Sequence, residues 1–124
     1  MEAFAYDSPH SDPLIAIEKK VAHDPDMFLV AVEDSRVVGT VMGGYDGHRG
    51  WIYSLAVTNR DRHRGAGTAL VRETEQKLKV LGCLKMNLQI VSSNSGVVEF
   101  YKKLGFSVED RVSMGKRLYD QPAR

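Results

Sequence analysis

Apolar and polar positions alternate with different periods along the chain, and each change of period predicts a new element. Leu14, Ile17 and Val21 recur at helical spacing after Asp12-Pro13, a dipeptide that is typical of a helix start. Short apolar runs then predict strands, and a second helical period begins at Gly65. The predicted order is a helix between Asp12 and Asp24, strands at 27–33, 36–42 and 49–57, a helix at 65–81, a strand at 85–91, a helix at 94–104, and short strands at 107–111 and 113–119.

This order predicts an α/β protein that forms one domain over residues 1–124. The first three strands would form an antiparallel meander, joined by a turn at Asp34-Ser35 and a glycine-rich tip at 45–48. The strand–helix–strand segment that follows would add a parallel strand and give a mixed sheet with helices on both faces, a three-layer αβα arrangement. In such sheets a ligand binds where a strand passes into the following helix, here between Val57 and Gly65.

Composition narrows the function classes. Lys plus Arg number 17 and Asp plus Glu 16, for a formal net charge of +1, so a nucleic-acid-binding protein is disfavoured. The four histidines are scattered, and no His/Cys pair has metal-ligand spacing, so no metal site is predicted. The single Cys83 fits a small buried position in a reducing compartment. No apolar run has the length of a signal peptide or membrane span, so we expect a cytoplasmic protein with no membrane partner.

The strand-to-helix junction at residues 62–69 (RHRGAGTA) has the composition of a phosphate site. Two glycines allow a tight turn and close backbone approach, and the first amides of the helix lack intrahelical acceptors. Arg62 and Arg64 add positive charge beside them. A Walker loop would end in Gly-Lys-Ser/Thr, and a dinucleotide fingerprint would have a third glycine where Leu70 stands. Taken alone, the segment equally fits a glycine-bearing turn with solvated arginines.

A second motif follows one helix and one strand later, with Asn94 and then residues 100–106 (FYKKLGF). With both motifs the chain resembles the GNAT superfamily of acetyltransferases. The family pattern R/Q-x-x-G-x-G/A is matched by residues 62–67, and the later pattern, Asn followed by (F)Y-x-x-L-G-F, by Asn94 and residues 100–106. Residues 28–118 are particularly similar to the bacterial YpeA-type acetyltransferases.

The resemblance implies the GNAT acyl-CoA N-acyltransferase fold and transfer of an acetyl group from acetyl-CoA to a primary amine, in a small molecule or a protein N-terminus, without a metal. It implies that Tyr101 protonates the departing thiolate, unless this residue only packs in the core, and that Asn94 either contacts the cofactor or caps its helix. Backbone groups of Leu55, Ala56 and Val57, on a strand that parts from residues 85–91, would hold the acetyl carbonyl and pantetheine arm. Amides of the junction would bind the pyrophosphate: Arg62, His63, Arg64, Gly65, Ala66, Gly67 and Thr68.

The general base is not identified by the resemblance. Some family members use a Glu where this chain has Gln89, and others a Glu near Trp51 and Tyr53, and neither carboxylate is present. Ordered water would then take the proton, with Asp46 as a weak candidate. An α-amine, with a pKa near 8, needs less help than a lysine near 10.4, so an N-terminal or small-molecule amine is favoured.

Two further expectations concern assembly and alternative functions. Family members usually begin with a strand and helix that have no counterpart ahead of Asp12, so either this chain starts late relative to the family or it lacks the edge strand. If the strand is missing, we expect residues 27–33 to be a sheet edge that is covered by a second protomer in a homodimer or by residues 1–10. A non-catalytic acyl-CoA-binding module remains an alternative, because the carboxylates are missing. A P-loop-like nucleotide-binding protein is a third.

Overall fold

The computed structural model describes residues 13–23, 25–58, 65–91 and 93–119. The chain divides after Val91 into two compact units. The first contains two helices, a 3-10 turn at Pro25–Met27 and a four-stranded sheet, and the second contains one helix. In chain order the elements are α1 (Pro13–His23), β1 (Phe28–Glu33), β2 (Arg36–Tyr45), β3 (Gly50–Val57), α2 (Ala66–Val80), β4 (Met86–Leu88) and α3 (Ser95–Lys103).

The sheet has the order β1-β2-β3-β4, with antiparallel pairing between the first three strands and parallel pairing between β3 and β4. The predicted meander followed by one parallel crossover is therefore confirmed. The β2–β3 register shifts between Met42 and Gly43, so that it skips Tyr53 and forms a bulge there. A second shift separates Ala31 from Val32 in the β1–β2 ladder. Such bulges bend a strand and increase its twist.

Helix α2 packs on the sheet through side chains four residues apart. Leu70, Thr74 and Leu78 are at most 4% exposed, and the Thr74 hydroxyl donates to the Leu70 carbonyl at 2.8 Å, which satisfies a buried polar group. Three sheet residues beneath them have no side chain, and an added Cβ would lie 3.1 Å from Leu70 Cδ1, 3.1 Å from Thr74 Cγ2 and 2.5 Å from Leu78 Cδ1. These residues are Gly39, Gly43 and Gly50 respectively.

The close approach explains why one predicted boundary was wrong. The sequence suggested that the second strand ends before Gly43-Gly44, but β2 continues through both glycines to Tyr45. Glycine weakens a strand, but it is retained where another element must lie against the backbone.

The opposite face of the sheet carries α1. A Cβ on Gly44 would meet Tyr53 Cε2 at 2.9 Å and the Lys20 Nζ of α1 at 3.4 Å, whereas one on the adjacent Gly43 would meet α2. Because successive residues of a strand face opposite sides, α1 and α2 lie on different faces. This gives the predicted helix–sheet–helix layering. Strand β1 is the edge of the sheet in the part of the chain that the structure describes, and the expected covering arm at residues 1–10 lies outside it.

The second unit contains α3 and an extended tail. The predicted strands at 107–111 and 113–119 are wrong, because residues 106–118 form neither helix nor strand. From residue 107 to residue 118 the large apolar side chains are 74–92% exposed, so the alternation of apolar and polar residues there buries no face that would stabilise a strand. The strand predicted at 85–91 is also shorter than expected, since β4 contains only Met86–Leu88. The exposed tail residues are Val108, Val112, Met114 and Leu118.

Candidate functional site

The parallel pairing of β3 with β4 ends partway along β3. Their ladder ends with Ile52 opposite Leu88, while β3 continues to Val57. Over its last residues β3 is therefore paired with β2 on one side, and on its other side it has no strand partner among the described residues. We refer to this unpaired edge of β3, residues 53–57 beyond the end of β4, as the opening. The structure thus places Leu55, Ala56 and Val57 at the predicted divergence of the strands, and all three are half-buried.

The direction of the β3 backbone follows from one hydrogen bond. Thr58 N donates to Val38 O at 3.0 Å, so Thr58 directs its amide toward β2. Hydrogen-bonding direction alternates along an antiparallel ladder, so Ala56 also faces β2, and the backbone N–H and C=O groups of Leu55 and Val57 point toward the opening. Main-chain N–H and C=O groups therefore provide the polar groups along this edge of β3.

The start of α2 supplies a second set of main-chain donors. Gly65 is the N-cap residue, with φ +89° and ψ −1°. As a glycine it has no side chain that could make a capping hydrogen bond. The first helical bond runs from Ala69 N to Gly65 O at 2.9 Å, so the amides of Ala66, Gly67 and Thr68 have no intrahelical acceptor. The first turn also contains no acidic residue. The positive end of a 15-residue helix is therefore left without an anion from its own first turn.

The two segments that carry these donors meet at Gly39. An added Cβ there would lie 3.0 Å from Ala56 O, 3.3 Å from Val57 Cγ2 and 3.1 Å from Leu70 Cδ1. The end of β3 and the second turn of α2 thus meet over a single glycine. Arg62, His63 and Arg64, which were predicted to flank the phosphate site, lie outside the described residues.

The carboxylate of Asp46 is engaged in the turn between β2 and β3. Its Oδ1 accepts from the amides of His48 at 2.8 Å and Arg49 at 2.7 Å, and its Oδ2 accepts from Trp51 Nε1 at 3.1 Å. The Arg49 and His48 amides, followed by the indole of Trp51, lower the pKa of Asp46 to about 2. A carboxylate stabilised in this way accepts a proton poorly at neutral pH, so Asp46 is unsuited to be the general base.

The remaining positions considered for a base lie at three different places, along β3 and just after β4. Gln89 is exposed and directly follows β4, and Trp51 is half-buried with its indole on Asp46. Tyr53 is 60% exposed at the bulge, with Lys20 Nζ 5.9 Å from its ring centroid. This last arrangement was not predicted from the sequence, because a bulge depends on the pairing of two strands and leaves no local pattern.

Asn94 and Tyr101 both belong to the second unit. Asn94 Oδ1 accepts from Val97 N at 3.3 Å, so the predicted helix cap is confirmed, while contact with a cofactor stays a prediction. Tyr101 is 6% exposed, and its ring makes edge contacts with Phe100 at 5.0 Å and Phe106 at 5.3 Å between centroids. Burial raises the pKa of Tyr101 to about 12, so its hydroxyl is protonated at physiological pH.

Two further features concern metals and membranes. Among the described residues, no group of three or more His, Cys, Asp or Glu side chains could hold a metal ion. None of the described helices combines the length and apolar character needed to cross a bilayer.

Cys83 is buried, as predicted, and its thiol donates to Lys85 O at 3.1 Å.

Comparison with known proteins agrees with this architecture. A family model described as "Acetyltransferase (GNAT) family" matches residues 1–106. An acetyltransferase of Yersinia pestis (strain Pestoides F) is 46% identical over 110 residues, which cover 89% of this chain and 78% of that protein.

Solved structures show the same fold. Ard1 from Thermoplasma volcanium superposes with a TM-score of 0.71 at 29% identity, covering 75% of this chain and 64% of that one. PaiA N-acetyltransferase from Thermoplasma acidophilum, solved in complex with coenzyme A, gives 0.70 at 26% identity, covering 80% and 63%. The chain therefore spans under two thirds of either solved protein. The family resemblance seen in the motifs is confirmed, and the chain belongs to the GNAT acetyltransferase family.

Proposed function

We propose that this protein is an N-acetyltransferase that moves an acetyl group from acetyl-CoA to a primary amine by direct attack in a ternary complex. The observation that carries the proposal is the junction of β3 and α2, where two sets of backbone donors adjoin an opening in the sheet. A relative of the same fold was solved with coenzyme A, which supports an acyl-CoA ligand.

The start of α2 fits the pyrophosphate of CoA. The amides of Ala66, Gly67 and Thr68 require acceptors, and phosphate oxygens are acceptors that the helix dipole also favours. A carboxylate from the chain at this point would compete with phosphate, and the first turn contains none. Gly65 adopts a conformation that other residues rarely adopt, and it places no side chain of its own at the end of the helix.

The opening beside β3 fits the acyl end of the same ligand. In the proposed reaction the neutral amine attacks the thioester carbonyl carbon, an N–C bond forms, the C–S bond breaks, and the nitrogen loses a proton while the thiolate gains one. Amides of Leu55 and Val57 that face the opening would stabilise the negative charge that develops on the carbonyl oxygen. Because these donors are fixed in a strand, they need no reorganisation during the reaction.

The family motif assigns Tyr101 to the departing thiolate, as the group that donates a hydrogen bond or a proton to it. A phenol with a pKa of about 12 is protonated throughout the physiological range, but it is a weaker acid than a thiol, whose pKa is near 8.5. Full transfer to a thiolate would be uphill by roughly 5 kcal/mol. Tyr101 would therefore stabilise the thiolate through a hydrogen bond, and the proton released by the amine would complete the exchange. With Asp46 unsuited as a base, water would take that amine proton.

The first test of the proposal is ligand binding. Coenzyme A or acetyl-CoA should raise the melting temperature, because a ligand that binds only the folded state stabilises it by mass action, by about 2.7 kcal/mol at 100 times its Kd. ATP with magnesium should give no comparable shift. Stabilisation by ATP with magnesium and none by millimolar acetyl-CoA would identify a nucleotide-binding protein and refute the proposal.

The second test concerns the chemistry. With an acceptor chosen from a panel of peptide N-termini, lysine peptides, polyamines and aminoglycosides, Tyr101→Phe should lower kcat about 10²-fold, the low end of the range for a lost proton donor, and leave acetyl-CoA affinity nearly unchanged. Tyr45→Phe is the matched control, since it removes a hydroxyl that bonds to Gly47 O in a turn. Wild-type turnover by Tyr101→Phe would show that Tyr101 only packs in the core. Acetyl-CoA binding without product from any amine would favour a non-catalytic binding module.

A further inference from the structure

Tyr53 occupies a distinctive position in β3. The parallel ladder with β4 ends at Ile52, so Tyr53 is the first residue of the strand beside the opening. The β2–β3 register skips it, which makes it the bulged residue of the strand. Its side chain lies on the face opposite α2 and is 60% exposed, which is unusual for a large aromatic residue within a strand. An accessible aromatic face therefore lies next to the opening at which acyl transfer is proposed.

A cation already lies over this ring. Lys20 Nζ is 5.9 Å from the Tyr53 centroid, at the outer limit of a cation–π contact. Gly44 makes the arrangement possible, because an added Cβ would lie 2.9 Å from Tyr53 Cε2 and 3.4 Å from Lys20 Nζ. The ring and the ammonium thus lie against a strand that has no side chain at this point. At this surface an ammonium group already lies against the aromatic face that attracts it.

We infer that the Tyr53 ring binds an ammonium group of the acceptor, so that the enzyme prefers diamines, in which a second ammonium accompanies the reacting amine. The inference rests on the proposed function and names its substrate class. Tyr53 precedes Leu55 by two residues, or about 6–7 Å along a strand. A four-carbon spacer joins two nitrogens over a comparable length. One nitrogen would remain protonated on the ring, while the other attacks as the neutral amine.

The chemistry of transfer is unchanged by this arrangement. The neutral nitrogen forms the amide bond as the C–S bond breaks, its proton leaves to water, and the thiolate is protonated. The ammonium on Tyr53 takes no part in bond making. It positions the diamine and must displace Lys20 from the ring, so Lys20 acts as a competing cation supplied by the chain itself.

Kinetics with two matched acceptors test the inference. For 1,4-diaminobutane and butylamine, the ratio of kcat/KM values should favour the diamine, and Tyr53→Leu should reduce that ratio about two- to fivefold, the size of an exposed cation–π contact. Tyr53→Phe keeps the aromatic face and should retain most of the preference. Lys20→Met removes the competitor and should increase it, while Lys19→Met, one residue away on exposed helix surface, should leave it at the wild-type value.

The inference is overturned if the two amines are used equally well, if Tyr53→Leu keeps the wild-type ratio, or if Lys20→Met lowers it. A binding experiment separates this failure from failure of the proposed function. Butyltrimethylammonium cannot be acetylated, and its methyl protons shift upfield in NMR spectra when they lie over an aromatic ring. The shift should be present with wild type and Tyr53→Phe and absent with Tyr53→Leu, whether or not any amine is acetylated. A shift that persists in Tyr53→Leu would place the cation elsewhere.

Discussion

Two places in the first unit present consecutive backbone amides, and the chain treats them differently. In the β2–β3 turn, the amides of His48 and Arg49 both donate to the Asp46 carboxylate, whose pKa falls to about 2 as a result. At the start of α2, the first turn contains no acidic residue, and Gly65 has no side chain with which to cap the amides of Ala66 to Thr68. The local chemistry is the same in both places, since fixed N–H groups attract negative charge.

The difference shows how a binding site can be distinguished from a structural turn. Where the chain supplies its own anion, the amides are satisfied and the turn is stable without a ligand. Where the first turn of a helix supplies none, the same donors can bind an anion from solution. The absence of a carboxylate at the start of α2 is thus as informative as the presence of glycine. Three substitutions test this comparison, each with an effect on CoA affinity or on stability that the other region should not show.

The largest effect is expected from Gly65→Val. A β-branched residue at φ +89° introduces backbone strain of about 1–2 kcal/mol. A change of backbone conformation that relieves this strain would turn the first amides of α2 away from their present directions. The new side chain would also extend in front of the helix end, where no atom of the described residues other than the adjoining chain lies within 4 Å of the Cβ position. Isothermal titration calorimetry should show CoA affinity reduced at least tenfold.

Gly82→Val is the control for strain. Gly82 has φ +86° and an equally open Cβ position, but it follows the C-terminal end of the same helix. Both variants should lose similar stability, and only Gly65→Val should lose affinity. Equal affinity of the two folded variants would mean that the pyrophosphate binds elsewhere.

Thr68→Glu should have opposite effects on stability and binding. A carboxylate in the first turn of α2 interacts favourably with the helix dipole, so the melting temperature should rise by a few degrees, from about 0.3–1 kcal/mol. The same charge would repel phosphate and weaken CoA binding about tenfold. Gln76→Glu adds the same charge to an exposed position two turns further along α2 and should change neither quantity appreciably. If Thr68→Glu binds CoA as tightly as Gln76→Glu does, the missing carboxylate in the first turn of α2 is not what makes its amides available to phosphate.

Asp46→Asn should have the smallest effect, and on stability alone. The folded-state pKa of Asp46 lies below its ordinary value of 3.8, so its charge contributes stability above about pH 4, and the contribution is lost as the pH falls toward 2. Thermal melts should therefore show a lower melting temperature for the variant at pH 7 and convergence with wild type near pH 2. CoA affinity at pH 7 should be unchanged. A variant that loses CoA binding while keeping its melting temperature would contradict the assignment of Asp46 to the turn.

The sequence predicted those elements whose side chains repeat on a buried face. The period from Ala66 to Leu81 identified α2, because Leu70, Thr74 and Leu78 pack on the sheet at that spacing. It failed for residues 107–119, where alternation of apolar and polar residues is present but no face is buried. Alternation of apolar and polar residues shows which side chains a strand could bury. Whether a strand forms depends on a neighbouring strand or helix that covers those side chains.

The candidate site was predictable to a similar degree. Gly65 and Asn94 were identified as helix starts, because caps and glycines act through local geometry. The bulge at Tyr53 and its contact with Lys20 were not, since they arise from pairing with β2 and from a helix some thirty residues earlier in the chain. The engagement of Asp46 was also missed, although an acidic residue before a glycine in a tight turn is a common signal for such bonding.

The three glycines beneath α2 determine which substitutions the protein can tolerate. None of them carries a reacting group, yet a methyl at Gly39 would press on both Ala56 O and Leu70, the two segments that meet beside the opening. A comprehensive substitution library, selected for acetyl-CoA binding, should therefore reject alanine at Gly39 about as strictly as valine at Gly65. At Gly47, where an added Cβ meets nothing within 4 Å, the same selection should reject alanine less strictly, for its positive φ alone. In a site made mostly of main-chain groups, the positions that tolerate substitution least are those at which a side chain must be absent.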